Sequence, residues 1–352
     1  MYTGGPIARR NSMLVSRRNL LLSAAALIPL RAQEKTDAKF AGGVNVVNVL
    51  ASVHNGKNEV VKDLKQEDFT LEEDGRPQVI KYFSRETDLP LTLGLMVDTS
   101  GSQWHVLDKE KEATSTFINQ VLREDKDQAF LIKFDAEAEL MQDLTPSRRK
   151  LQSALKDVDG SPRQLQKRDP NSSSTGGRHG GTVLYDSILL ASNEEMKKEK
   201  GRKALILLTD GEDRGSRVSL TESIEAAQRT DTLVYSIYFV DQEQTSFNPG
   251  SMGGRHGGGG MGGGRGRQQQ QSRGDGKKIL QRISKETGGS FFEVSKKMPI
   301  DKIYVQIEEE LRSQYSLGYT SDKPDSGFHR IKVTAKGKGL VVQARDGYYA
   351  TT

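Results

Sequence analysis

Cysteine does not occur in the 352-residue sequence. Its absence excludes disulfides, thiolate metal sites and thiol nucleophiles, and also a lipid-bearing cysteine behind a leader. Histidine is scarce, five in all. His179 and His256 each stand alone among glycines, with no second nitrogen or thiolate at ligand spacing, so they read as loop residues. Long apolar runs are missing too. The segment 20–30 has eleven residues, against the ~20 needed to span a bilayer. A surplus of charge is lacking once the N-terminus is set aside. Five of the 52 basic residues (Arg9, Arg10, Arg17, Arg18 and Arg31) fall in an acid-free stretch at 1–33, and the remainder balances the 47 acids. The formal +5 therefore gives no reason to expect a nucleic-acid partner.

What stands at 1–33 reads as an export signal. Ser16-Arg17-Arg18-Asn19-Leu20-Leu21 opens the apolar segment, and Ala32 follows as a cleavage residue. The paired arginines resemble a bacterial twin-arginine signal, which predicts an exported protein, periplasmic or extracellular, without stable membrane insertion after leader removal.

Three grammars follow. At 38–88 the pattern is β-rich: Val47, Val49, Ala51 and Val53 alternate, Asp74-Gly75 is a hairpin signal, and "PQVIKYF" reads as the returning strand. At 89–314 apolar strand candidates (91–97, 129–134, 204–209 and 233–240) alternate with helix candidates. The helical stripes are Val106, Glu110, Ala113, Phe117 and Val121; Leu184, Ile188, Ala191 and Glu195; Leu220, Ile224 and Ala227; Ile279 and Ile283; and Ile303, Ile307 and Leu311. Alternation of this kind predicts an α/β fold with a doubly wound, mostly parallel sheet. At 315–350 strands return, too few to stand alone. They are expected to pack with the N-terminal β part as a small β-sandwich-like domain into which the α/β domain is inserted. Two Gly-rich insertions, 158–181 and 249–276, interrupt the middle section and read as flexible. Both contain Gly-Gly-Arg-His-Gly-Gly. The Arg273-Gly274-Asp275 tripeptide and the Gln268–Gln271 run read as linker composition.

Candidate chemistry lies at the strand ends, where open parallel sheets hold ligands. The strand at 91–97 runs into Asp98-Thr99-Ser100-Gly101-Ser102, and the strand at 204–209 into Asp210-Gly211. Buried carboxylates need compensation, and a divalent cation supplies it. The i, i+2, i+4 spacing aims Asp98, Ser100 and Ser102 at one point, and Thr182 adds a hydroxyl at the start of the helix before the second acidic strand. Two carboxylates, three hydroxyls and water make a hard-oxygen site for Mg²⁺ foremost, or for Mn²⁺ or Ca²⁺. Asp135 and Asp241 also end strands but carry no hydroxyl series and read as caps; Asp213 reads as a solvated loop acid.

The set Asp98-x-Ser100-x-Ser102, Thr182 and Asp210 resembles the metal-ion-dependent adhesion site (MIDAS) of von Willebrand factor type A (VWA) domains. The flanks, "DLKQEDFTLEEDGRPQVIKYF" before the domain and "LRSQYSLGYT" with "HRIKVTAKGKGLVVQARDGYYA" after it, resemble the secreted VWFA-related acidobacterial group. That resemblance implies a central sheet with one short antiparallel strand. It also implies a metal whose open position takes a carboxylate from a protein partner. Ser100 and Ser102 would be direct ligands, Thr182 a ligand when a partner is engaged, and Asp98 and Asp210 direct or water-mediated ligands. The expected function is metal-dependent protein binding or adhesion, with no catalytic residues. The alternatives are a periplasmic structural or assembly factor with a stabilising metal, and a metal-dependent hydrolase. For the last, His105, three residues after Ser102, is the histidine nearest the serines in sequence.

Overall fold

The computed structural model describes residues 46–85, 88–103, 105–159, 181–239, 264–322 and 326–350. The leader at 1–33, His179, His256 and Asp241 lie outside them, as do the two Gly-Gly-Arg-His-Gly-Gly segments apart from Gly181.

The described chain opens on a β unit. Strand β1 (Val46–His54) turns Val47, Val49, Ala51 and Val53 inward. Strands β2 (Phe69–Glu73) and β3 (Arg76–Gln78) form the hairpin at Asp74-Gly75, whose φ angles of 48° and 77° are the left-handed pair that a tight two-residue turn requires. The returning segment is not the single strand expected from "PQVIKYF". It breaks after Gln78, and β4 (Tyr82–Ser84) pairs in a different sheet, because Ile80 is drawn into the core between them and Lys81 N–H donates to the Gly318 carbonyl at 2.8 Å.

The alternating section comprises β5 (Leu91–Asp98), α1 (Leu107–Val121), β6 (Gln128–Phe134), β7 (Ala138–Thr145), α2 (Arg148–Lys156) and α3 (Leu184–Leu190). It continues through β8 (Arg202–Thr209), α4 (Leu220–Arg229), β9 (Thr232–Tyr238), α5 (Gly264–Thr287), β10 (Phe291–Glu293) and α6 (Ile300–Arg312). Its sheet has the order β10-β9-β8-β5-β6-β7 and is parallel except for β7, which runs antiparallel to β6. Strands β5 and β8 are buried along their whole length because helices cover both faces. Leu93, Leu95 and Val97 meet α1 and α6 on one side, where Phe117 and Tyr304 stack at 4.3 Å; Met96, Leu205 and Leu207 meet α3, α4 and α5 on the other.

Strands β11 (Tyr315–Thr320), β12 (Gly327–Ala335), β13 (Val341–Ala344) and β14 (Gly347–Ala350) then return to the first β unit. Two four-stranded sheets result, β13-β1-β11-β4 and β14-β12-β2-β3, each built from both ends of the chain around one apolar core. The fold class is thus the expected one, an α/β sheet inserted in a β-sandwich. Part of the Gly-rich linker expected at 249–276 is instead helix: α5 begins at Gly264. The arginines and glutamines of that stretch are good helix formers, and the helix is anchored downstream by buried Gly276, Leu280 and Ile283.

Asp127 ties the bottom of this sheet together. Its carboxylate accepts from Arg123 Nε (3.0 Å), Arg312 Nη2 (2.6 Å) and the Leu91 N–H (3.0 Å), joining the end of α1 to the start of β5 and the end of α6. Burial pushes this group up, but the hydrogen bonds from Arg123 and Arg312 outweigh burial and hold it at about 2. Asp127→Ala removes an acceptor that Arg123 and Arg312 share, leaving Arg123 with Asp88 and Leu89 and Arg312 with the Val121 carbonyl, and is expected to cost about 1.5–3 kcal/mol in urea unfolding. The sign with pH follows. Because the folded value is the lower one, the contribution of Asp127 is complete above the unfolded carboxylate value of ~4 and is lost as pH falls towards 2. Wild-type and variant stabilities should converge there.

Candidate metal centre

The connectivity itself marks the place. From β5 the chain steps outward through β6 to β7, then returns and steps the other way through β8 and β9 to β10. The sheet order reverses between β5 and β8, and the crevice at their carboxyl ends is where such folds place ligands. The register sets Val97 opposite Leu208, so Asp98 and Thr209 follow side by side.

Asp98 is wholly buried. Its Oδ1 accepts from the Ser100 N–H at 2.9 Å and its Oδ2 from Thr209 Oγ1 at 2.6 Å. Past it the chain turns: Gln103 N–H donates to the Ser100 carbonyl, and the Gln103 carbonyl accepts from Val106 and Leu107, so the serine loop runs directly into α1. Ser100 Oγ and Ser102 Oγ stand 3.1 Å apart, with Ser102 open to solvent. Asp210 is nearly buried, its Oδ1 accepting from the Glu212 N–H at 3.0 Å, and Thr182 is buried at the approach to α3. The Thr182 carbonyl accepts from Arg214 (3.0 Å) and Gly215 (3.2 Å), and Val183 N–H donates to the Asp135 carbonyl (2.8 Å). These bonds bring the Thr182 segment against the loop that follows Asp210 and against the end of β6. The five predicted residues therefore come from three loops at one edge of the sheet.

Two glycine contacts fix how closely those loops approach. Gly211 has φ +76°, and a Cβ there would lie 2.4 Å from the Gly276 carbonyl oxygen of α5. A Cβ on Gly181 would lie 2.9 Å from the Gly215 Cα. Asp213 departs from the solvated loop acid expected of it. It is half-buried and organises the loop, accepting from the Tyr185 N–H (3.2 Å) and Ser216 Oγ (2.6 Å).

Sequence reasoning did not assign three further groups to this edge. Thr209 holds Asp98. Gln103 is buried with its Oε1 lacking a hydrogen bond, and Glu110 is wholly buried with neither carboxylate oxygen hydrogen-bonded. The signal for Glu110 was present: it falls on the apolar stripe of α1. Burial, then the neighbouring charge of Asp210, raises Asp98 to about 7 despite its hydrogen bonds. Burial, then the charges of Asp98 and Asp210, pushes Glu110 well above the ordinary carboxylate range.

A divalent cation fits this donor set. Asp98 and the paired hydroxyls of Ser100 and Ser102 share one loop, two carboxylates are removed from water, and among the described residues no lysine, arginine or histidine forms an ion pair with Asp98, Glu110 or Asp210. Among the described residues there is also no group of three or more His, Cys, Asp or Glu arranged as metal ligands. Any ion held here would therefore rest on two aspartates and the hydroxyls of Ser100, Ser102 and Thr182.

A doubly wound sheet with acidic and hydroxyl residues at its switch point defines the class: an open α/β domain with its ligand crevice at the ends of β5 and β8. Residues 93–212 match the family model of the von Willebrand factor type A domain, a span that contains all five residues. The chain carries a VWA domain. Solved structures with a similar fold include an aerotolerance-related membrane protein from Bacteroides fragilis, 17% identical, covering 63% of this chain and 98% of that one, with a TM-score of 0.42. Another is a von Willebrand factor type A protein from Catenulispora acidiphila, 12% identical over 86% and 73% of the two chains, TM-score 0.45. A third is proximal thread matrix protein 1 of the mussel byssus with a zinc-occupied MIDAS motif, 16% identical over 69% and 50%, TM-score 0.41. No curated protein matches the chain.

The raised Asp98 value carries a stability consequence in chelator. From the unfolded value of ~4 to the folded value of about 7, the native protein holds a proton that the unfolded chain has released. Stability is therefore expected to fall as pH rises through that window, with the loss complete above it. Melting curves of wild type and Asp98→Asn between pH 4 and 8 test this; the decline should be shallower in the variant.

Proposed function

We propose that this protein is an exported, metal-dependent protein-binding or adhesion module, whose cation site captures an acidic group of a protein partner. The observation that carries this reading is the burial of Asp98 and Asp210 beside the paired hydroxyls of Ser100 and Ser102, with no basic side chain in ion contact among the described residues. Asp98, Ser100, Ser102, Thr182 and Asp210 would hold the ion, Mg²⁺ foremost, with Mn²⁺ and Ca²⁺ as the other cations the oxygen set suits. Bound there, the cation supplies a Lewis-acidic position that a carboxylate can complete. One such bond is directional but discriminates little, so selectivity rests on the surrounding loops.

Export rests on the twin-arginine-like leader, and no described helix is long and apolar enough to cross a membrane. A non-enzymatic role is supported by the serines' surroundings. Ser100 and Ser102 Oγ bond to each other at 3.1 Å, and the Asp98 carboxylate beside Ser100 is taken up by the Ser100 N–H and the Thr209 hydroxyl.

Calorimetric titration of chelator-treated protein with Mg²⁺, Mn²⁺ and Ca²⁺ tests the site. Saturable binding in wild type is expected, abolished by Asp98→Ala and by Asp210→Ala. Addition of a carboxylate-bearing peptide library to loaded and stripped protein tests the capture. Retention only by the loaded form supports an adhesion role, whereas metal-dependent stability with no retention favours a periplasmic assembly factor.

A further inference from the structure

The VWA-type donor set leaves Glu110 unexplained. It lies in the first turns of α1, its N–H bonded to the Val106 carbonyl, and the helix is entered straight from the serine loop through the Gln103 carbonyl. It has no exposed surface, and both carboxylate oxygens lack any hydrogen-bond partner. One turn further along, Thr114 Oγ1 pairs with Tyr304 Oη at 2.9 Å, so the neighbouring polar groups are satisfied without it. Leaving a buried polar group unpaired is destabilising, and more so for a charged one. Alanine or leucine on the same stripe of α1 would avoid that cost. The two groups whose charges act on Glu110 are Asp98 and Asp210. Glu110 lies between Leu107 and Ala113 on the buried stripe that α1 packs against the sheet beside Val97, the residue before Asp98.

We propose that Glu110 is a third carboxylate of the metal centre, an outer group that holds the cation by charge without being one of its inner ligands. This deepens the metal-site reading above and rests on it. The outer placement follows from position: no three acidic or histidine side chains stand at ligand positions among the described residues, yet Glu110 is wholly buried in the first turns of the helix that leaves the serine loop. A divalent ion balanced by Asp98 and Asp210 alone is neutral as a site. With Glu110 behind them the centre carries a further negative charge and retains its cation before any partner arrives. Groups in this position tune affinity rather than define the ligand sphere.

The test is a titration of stripped full-length mature protein with Mn²⁺ and with Mg²⁺, in wild type, Glu110→Gln, Glu110→Asp and Asp98→Ala, each first shown folded by its circular-dichroism melt. Glu110→Gln keeps the shape and removes the charge, and its affinity is expected to fall roughly 10–100-fold. Its melting temperature should also rise less than that of wild type when the metal is added. Glu110→Asp keeps the charge on a shorter stem and should bind more tightly than Glu110→Gln. Equal affinity of Glu110→Gln and wild type, with binding abolished in Asp98→Ala, would leave the metal site standing and make Glu110 a structural, uncharged group. Binding by Glu110→Gln as tight as by Glu110→Asp would overturn the role of charge. No binding by wild type would overturn the proposal together with the metal-site reading.

Discussion

The interaction on which this structure turns is the burial of negative charge at the ends of its two central strands. Asp98 has no exposed surface, and the residues just before it, Met96 and Val97, belong to the apolar clusters on opposite faces of the sheet. A carboxylate in such surroundings carries a desolvation penalty of several kcal/mol. Hydrogen bonds from Ser100 and Thr209 offset part of it, but not all, since the group is still raised to about 7. The fold sets this carboxylate at the end of a strand that is buried along its whole length. That is intelligible if the charge has something to do, because strained or uncompensated groups persist only where the surrounding structure over-determines them.

The over-determination comes from both layers of the fold. Full burial of β5 and β8 fixes the register that sets Asp98 beside Thr209. At the opposite edge Arg202, at the start of β8, donates to the Leu311 and Gln314 carbonyls, pinning the exit of α6 where the chain passes into the sandwich. Glu310 of that helix bonds His54 of β1 at 3.0 Å and Ser290 at 2.7 Å, so the sandwich, α6 and the loop before β10 share one buried carboxylate. The sandwich strands come from both ends of the chain, and they clamp the helix that packs on α1 through the Phe117–Tyr304 stack. A helix that carries Glu110 at one end is in this way braced along its length by the support domain.

Legibility from sequence followed the strength of the local pattern. The strands at β5, β6, β8 and β9 were visible because burial on both faces demands uninterrupted apolar residues. The five residues proposed as oxygen donors could be picked out because strand, turn and hydroxyl spacing coincide, and they lie on three loops at the ends of the strands. Strand β7 was not marked, since its residues are mostly exposed or half-buried and show no clean period. Helix α2 has only Leu151, Ala154 and Leu155 buried, too few for a stripe to stand out. The break between β3 and β4 depended on one side chain, Ile80, crossing between sheets, which no period of two can show. Glu110 was read as part of an apolar stripe, yet its charge was the informative feature: an acid at a core position is a local inconsistency, and such inconsistencies collect at functional sites.

The charge of the centre also bears on how a partner would be chosen. If two aspartates balance the cation and a third carboxylate lies behind them, an incoming acidic group meets a site that is already more than neutral. Its coordination then contributes less net Coulomb energy, and the contacts around the opening must contribute more. The described rim is built for close, fixed approach. Gly211 lies against Gly276, Gly181 lies against Gly215, and Phe239 N–H donates to the Thr209 carbonyl beside Asp98. On the proposed reading, charge at the floor would account for holding an ion, while the choice of what completes its shell would fall to the described loops that carry Thr182 and Asp210.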